Sequence, residues 1–125
     1  MSTVTLWRPV GQTELDLISQ SGWCRFPPRL GDQPIFYPVL GEEYAARIAG
    51  DWNAKDAASS FVGHVLRFEV DAAFVAQFDV HRVGGAGIDE LWIPAERLDE
   101  FNDHIVGSIT VTASYAGDSL AGRAD

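Results

Sequence analysis

From Phe61 to Val70 the chain alternates without interruption. Val62, His64, Leu66, Phe68 and Val70 fall on one side of an extended strand, and Gly63, Val65, Arg67 and Glu69 fall on the other. This strand constrains the second half of the chain, because the later connections are too short to carry a helix back across a sheet. Asp71 stands where it would cap a helical turn holding Phe74, Val75 and Phe78, and the chain returns to a strand near Val80 to Val83. Gly84, Gly85 and Gly87 mark a turn, and Leu91-Trp92-Ile93-Pro94 reads as a strand closed by proline. A helical turn from Ala95 to Phe101 directs Leu98 and Phe101 inward, and Ile105 to Val111 alternates as a last strand with Ile105, Gly107, Ile109 and Val111 on one face. A parallel crossover takes about a dozen residues or more. The sheet is therefore expected to be mostly antiparallel.

The first half supplies the helices. Val4 to Trp7 is a short strand stopped by Pro9, and Thr13 is expected to cap a helix that starts at Glu14, carries Leu15, Leu17 and Ile18, and ends at Gly22. Two prolines make Arg25-Phe26-Pro27-Pro28-Arg29-Leu30-Gly31 a loop. Ile35 to Leu40 is an apolar run around Pro38, which belongs at a sheet edge or a bulge. A second helix runs from Glu42 to about Trp52, its acidic start favoured by the helix dipole, with Tyr44, Ile48 and Trp52 on the face expected to be core. The sum is about six strands and two main helices: an α+β fold with a mixed, mostly antiparallel, split sheet. Residues 1–115 are expected to form the single domain and residues 116–125 a flexible C-terminal tail.

At 125 residues the chain is long enough for one core and too short for two. A formal charge of −9 opposes a phosphate backbone, which argues against non-specific nucleic-acid binding. Arg8, Arg25 and Arg29 crowd the first quarter, so a small anionic ligand remains compatible with that charge. Cys24 is the only cysteine and rules out an intrachain disulfide, which favours a reducing, cytoplasmic setting. No apolar run approaches the ~20 residues that span a bilayer, so no membrane association is expected.

Phosphate-loop, nucleophile-elbow, zinc-protease and paired-cysteine motifs are absent, and His64, His81 and His104 have no metal-ligand spacing. What stands out is a set of polar groups on separate strand segments: Arg8 ending the first strand, Tyr37 in Ile35-Phe36-Tyr37-Pro38 ahead of a helix, and Glu90 in Asp89-Glu90-Leu91-Trp92-Ile93-Pro94. In order and context the chain resembles the ADP-ribosyltransferase-like fold superfamily. There a basic residue on the first strand, an aromatic or Ser-Thr segment on a middle strand and a Glu opening a later strand line one NAD cleft. The resemblance covers roughly residues 4 to 112 as an order of elements. It implies that Glu90 is the catalytic carboxylate, that Arg8, Tyr37 and Tyr44 bind the cofactor NAD, and that the activity is ADP-ribose transfer or NAD cleavage. Breaking the nicotinamide–ribose bond develops oxocarbenium character, which a fixed carboxylate stabilises. An aromatic face holds the departing ring, and a guanidinium grips a phosphate or ribose oxygen. Ile88 stands where arginine-directed members carry Gln or Glu, so that target class does not carry over.

The same residues also admit structural roles. Arg8 beside Trp7 fits a surface cation packed on an aromatic, Tyr37 fits core, and Glu90 fits a solvated or capping charge. A second cluster of Arg25, Phe26, Arg29 and Trp52, near Tyr44, is able to wall a ligand pocket or to be a loop-on-helix contact. The alternative function is thus a non-catalytic module of the same fold that recognises a protein or small ligand through its aromatic-rich loop. The transferase reading requires Arg8, Tyr37 and Glu90 to converge.

Overall fold

The computed structural model describes residues 2–29, 34–51, 62–82 and 89–116. The alternating segment forms β3 (Val62–Asp71), the centre of an antiparallel three-stranded sheet between β1 (Thr3–Val10) and β7 (Ile105–Ala116). β1 pairs along its whole length, from Thr3 opposite Asp71 to Val10 opposite His64. β7 pairs with shifts in register, between Val65 and Leu66 and between Arg67 and Glu69. It extends through Ala116, past the end expected from its alternation, because cross-strand pairing to Gly63 and Val62 continues where the side-chain pattern stops. The rest of the expected tail, residues 117–125, lies outside the described residues, as do the linker 53–60 and the glycine turn.

The sheet separates two layers. On the face carrying Gly63 and Val65 lies α2 (Glu42–Asp51), whose Ala45 and Ala49 are buried with Val39 and Val65, flanked by Trp7 and Tyr44. Tyr44 and Ile48 were expected to lead this helix face; the helix is turned so that the small residues lead and Tyr44 and Ile48 sit half-buried beside them. Gly63 explains the rotation. A Cβ there would overlap the Ala49 carbonyl oxygen, so helix and strand meet backbone to backbone.

The opposite face carries Leu66, Phe68 and Val70 into an aromatic core, and His64, on the same face, is buried. Phe26 packs 4.9 Å from both Phe36 and Phe68, ring centre to ring centre, and Phe101 lies 5.4 Å from Phe36. α1 (Gln12–Gln20), α3 (Ala72–Val75) and α4 (Leu98–Asp103) contribute Ile18, Phe74, Leu98 and Phe101 to it. α1 starts before the expected Thr13 cap: Gly11, with extended backbone, is the N-cap and makes no side-chain bond, and the Leu15 amide closes the first turn on the Gly11 carbonyl at 3.1 Å. Its end is as read, with Gly22 at φ 84°.

The apolar run around Pro38 joins the halves of the split sheet. β2 (Ile35–Phe36) pairs with β6 (Ile93–Pro94), and β4 (Val80–Arg82) pairs with β5 (Asp89–Leu91). Val39 then bridges Trp7 of β1 on one side and Glu90 of β5 on the other. Ile35 opposite Pro94, Phe36 opposite Ile93 and Val39 opposite Glu90 follow one register, so residues 35–40 and 89–94 are one antiparallel ladder interrupted at Tyr37 and Pro38. Among the described residues every strand pair is antiparallel, and no helix is long and apolar enough to cross a membrane.

Candidate functional site

Cross-strand partners share a face of a sheet, and adjacent residues on one strand do not. Trp7, Val39, Glu90 and His81 are successive partners across four segments, and they all project on the α2 side. Trp92, two residues beyond Glu90, and Tyr37, two residues before Val39, project the same way. The shared register sets Tyr37 opposite Trp92.

On this face Glu90 is the centre. Tyr44 reaches down from α2 and donates its hydroxyl to Glu90 Oε2 at 3.0 Å, and the Trp92 indole donates Nε1–H to Glu90 Oε1 at 2.9 Å. Each carboxylate oxygen is thereby oriented by one neutral donor, and a carboxylate keeps further lone pairs for a ligand. Burial, then the hydrogen bond and charge of Glu90, push the Tyr44 hydroxyl up to about 12; Tyr37 adds to this and Arg47 opposes it. Tyr44 is therefore a donor throughout the neutral range. The surface beside the carboxylate is aromatic: Tyr37 is 42 % exposed and Trp92 40 %, and the His81 ring stacks on Trp92 with centroids 3.9 Å apart. This face offers flat rings for stacking and a fixed anion for hydroxyls.

Of the expected site residues, Glu90, Tyr37 and Tyr44 come together here. Arg8 does not. As the neighbour of Trp7 it projects from the other face, where it is 6 % exposed with its guanidinium 4.6 Å from the Phe36 ring centre. Glu14 of α1 binds it through both carboxylate oxygens, Oε2 accepting from Nε at 2.7 Å and Oε1 from Nη2 at 3.0 Å. The cleft in which Arg8 would face Glu90 is not formed, because one residue along a strand reverses the side chain's direction.

The second cluster also divides. Phe26 is core, 3 % exposed, with its amide and carbonyl both bonded to the Asn102 side chain. It is not a pocket wall. Arg25 turns outward to α4, pairing with Asp103 at 2.9 Å and Asp99 at 3.5 Å, and the Asp103 hydrogen bond holds its guanidinium more firmly protonated than usual. Arg29 is half-buried 5.9 Å from the Phe36 ring centre, near enough to Arg8, Glu14 and Tyr37 for their charges to act on it; burial, then Arg8, lower its proton affinity. Trp52 lies outside the described residues.

Trp92 and His81 were missed as site residues. The alternation Glu90, Trp92 within the strand Asp89-Glu90-Leu91-Trp92-Ile93-Pro94 was the available signal for Trp92, since i and i+2 share a face. His81 carried none, because its pairing with Glu90 depends on a hairpin register that the glycine turn does not specify. Among the described residues no group of three or more His, Cys, Asp or Glu is placed to hold a metal ion. Comparison with protein-family models, curated proteins and solved structures finds no match.

Proposed function

We propose that the Glu90 face binds a nicotinamide dinucleotide and that the domain is an ADP-ribosyltransferase or NAD-cleaving enzyme of the ADP-ribosyltransferase-like fold. The observation that carries the reading is the Glu90 carboxylate, oriented at both oxygens by Tyr44 and Trp92 and bordered by the exposed rings of Tyr37 and Trp92. In this reading a ring of the dinucleotide stacks on the aromatic surface and a ribose hydroxyl donates to Glu90. The carboxylate then stabilises positive charge at the anomeric carbon as nicotinamide leaves. The convergence of Arg8 with Tyr37 and Glu90 that the transferase reading requires is not met, because Arg8 is a structural ion pair on the other face, and the reading stands only with its cation supplied by another residue. The cationic role passes to Arg47, exposed on α2 one turn from Tyr44. The exposed thiol of Cys24 accords with a reducing, cytoplasmic setting.

Titration of NAD by calorimetry, with nicotinamide release followed in parallel, tests this. Binding and release in the parent chain, with release lost in Glu90→Gln, is the expected result. No binding at millimolar NAD ends the reading. The second reading, a non-catalytic module that recognises a small ligand on the same face, is favoured by the removal of Arg8 to the other side. It predicts NAD binding without release. A protein-docking role for the aromatic-rich segment around Phe26 is weakened by the burial of Phe26, since Phe26→Ala would disturb the core before any interface.

A further inference from the structure

On the face opposite Glu90, a chain of hydrogen bonds links α1 to the edge strand β7. Gln12 Nε2 lies 2.8 Å from Asp16 Oδ1, Gln12 Oε1 lies 2.9 Å from His64 Nε2, and His64 Nδ1 lies 2.7 Å from Ser114 Oγ. Each link fixes the next. An ionised carboxylate only accepts, so Asp16 requires the Gln12 amide nitrogen and turns the Gln12 oxygen to His64. That oxygen also only accepts, so His64 carries its proton on Nε2. The Nδ1 lone pair of the neutral ring therefore faces Ser114, whose hydroxyl donates to it. His64 and Ser114 are directly opposite on β3 and β7, which holds the pair in register, and Ser114 is exposed while His64 is buried. This is the arrangement of a serine with its general base, the base being oriented in turn by a third group.

We propose that Ser114 is a nucleophile that accepts an acyl group from activated esters, with His64 as its general base and Gln12 and Asp16 as positioning residues. Ser114 Oγ attacks the carbonyl carbon, its proton passes to His64 Nδ1, and the carbonyl π electrons move to oxygen. Collapse of the tetrahedral intermediate breaks the bond to the leaving oxygen, which takes the proton from Nδ1 and departs as the alcohol or phenol. Water then attacks the Ser114 ester in the same way. It gives its proton to Nδ1, the acid is released, and Ser114 Oγ is reprotonated, so that ester and water become acid and alcohol. Burial holds the His64 ring below its usual proton affinity, with Asp16 on α1 acting against this, which keeps the base neutral near pH 7.

The full chain is treated with p-nitrophenyl acetate and, separately, with a fluorophosphonate, and the adducts are mapped by peptide mass spectrometry. Ser108, exposed on the same strand, is the internal reference. A general base contributes typically 10²–10⁴-fold, so Ser114 is expected to label at least about 100-fold faster than Ser108. The adduct should vanish in Ser114→Ala and fall to the Ser108 rate in His64→Gln. Two measurements on the unaltered chain do not depend on a variant folding. The labelling rate should rise with deprotonation of His64, with a midpoint below the ordinary 6.5, and ¹⁵N shifts should report the Nε2–H tautomer. Labelling of Ser114 no faster than Ser108, labelling indifferent to His64 protonation, or an Nδ1–H tautomer would each overturn the proposal.

Discussion

Gly63→Ala is the most incisive perturbation of this fold, because it acts where α2 and the sheet touch. The added Cβ would overlap the Ala49 carbonyl oxygen and lie 2.7 Å from its carbon and 2.9 Å from the Ala49 Cα. All three are backbone atoms of a helix, so no side-chain rotation relieves the clash. Restoring ordinary carbon contacts of ~3.5–4.0 Å means moving α2 outward by about 1 Å. Overpacking costs about 1–3 kcal/mol in general, and a clash against backbone places this case at about 3 kcal/mol. For a domain of this size that is a fall in Tm of about 10 °C. The same displacement carries Tyr44 away from Glu90, stretching a 3.0 Å hydrogen bond beyond useful length. Two assays therefore read one event. Urea unfolding followed by far-UV circular dichroism should show a lowered midpoint at unchanged m, and ultraviolet phenol titration should show the Tyr44 transition moving down from about 12. A variant within 0.5 kcal/mol of the parent with its phenol titration unchanged would refute the close packing of α2 on β3.

Tyr44→Phe should remove the transition at about 12 from the phenol titration. Because the folded value is raised above the ordinary 10, the parent loses stability as pH climbs from 10 to about 12, and the variant should show a shallower decline in that window. His64 runs the other way. Its folded proton affinity is lowered, so the contribution present above about 6.5 is lost on acidification, and His64→Gln should flatten the stability profile from pH 6.5 towards 5. Asn102→Ala leaves the buried amide and carbonyl of Phe26 without their partner and should cost about 2–4 kcal/mol in urea unfolding; a change under 0.5 kcal/mol would show that water or a rearranged loop satisfies them.

Much of the sheet was legible because it is written locally. The faces of β3 follow residue by residue from its alternation, and the short later connections lead directly to antiparallel pairing. The helix ends were less legible. Gly11 caps α1 by backbone conformation alone, so Thr13 drew the expected start into the helix. The inward face of α2 was misassigned because large residues advertise burial more strongly than alanines, whereas the deciding partner, Gly63, is a residue without a side chain on another element. Within the site, Tyr44 and Glu90 were individually visible, yet their contact spans a helix and a strand distant in sequence. Arg8 was misplaced for a similar reason. Nothing local to it tells which face it takes, and its true partner, Glu14, was read only as the start of a helix.

The bridge at Val39 has a mechanical consequence. Among the described residues, the segment 35–40, with β4, β5 and β6 behind it, is joined to β1 of the larger sheet at one position, by the paired backbone bonds between Trp7 and Val39. Such a seam, one residue wide, is a natural line for sub-global opening, below the free energy of complete unfolding. Glu90, Trp92 and His81 ride on one side of it and Tyr44 on the other, so the Tyr44–Glu90 hydrogen bond works as a latch across the line. The amides of Trp7 and Val39, which bond each other's carbonyls across the line, should then exchange with solvent deuterium as a pair, ahead of the β1–β3 ladder, and a ligand that engages both banks should slow them together.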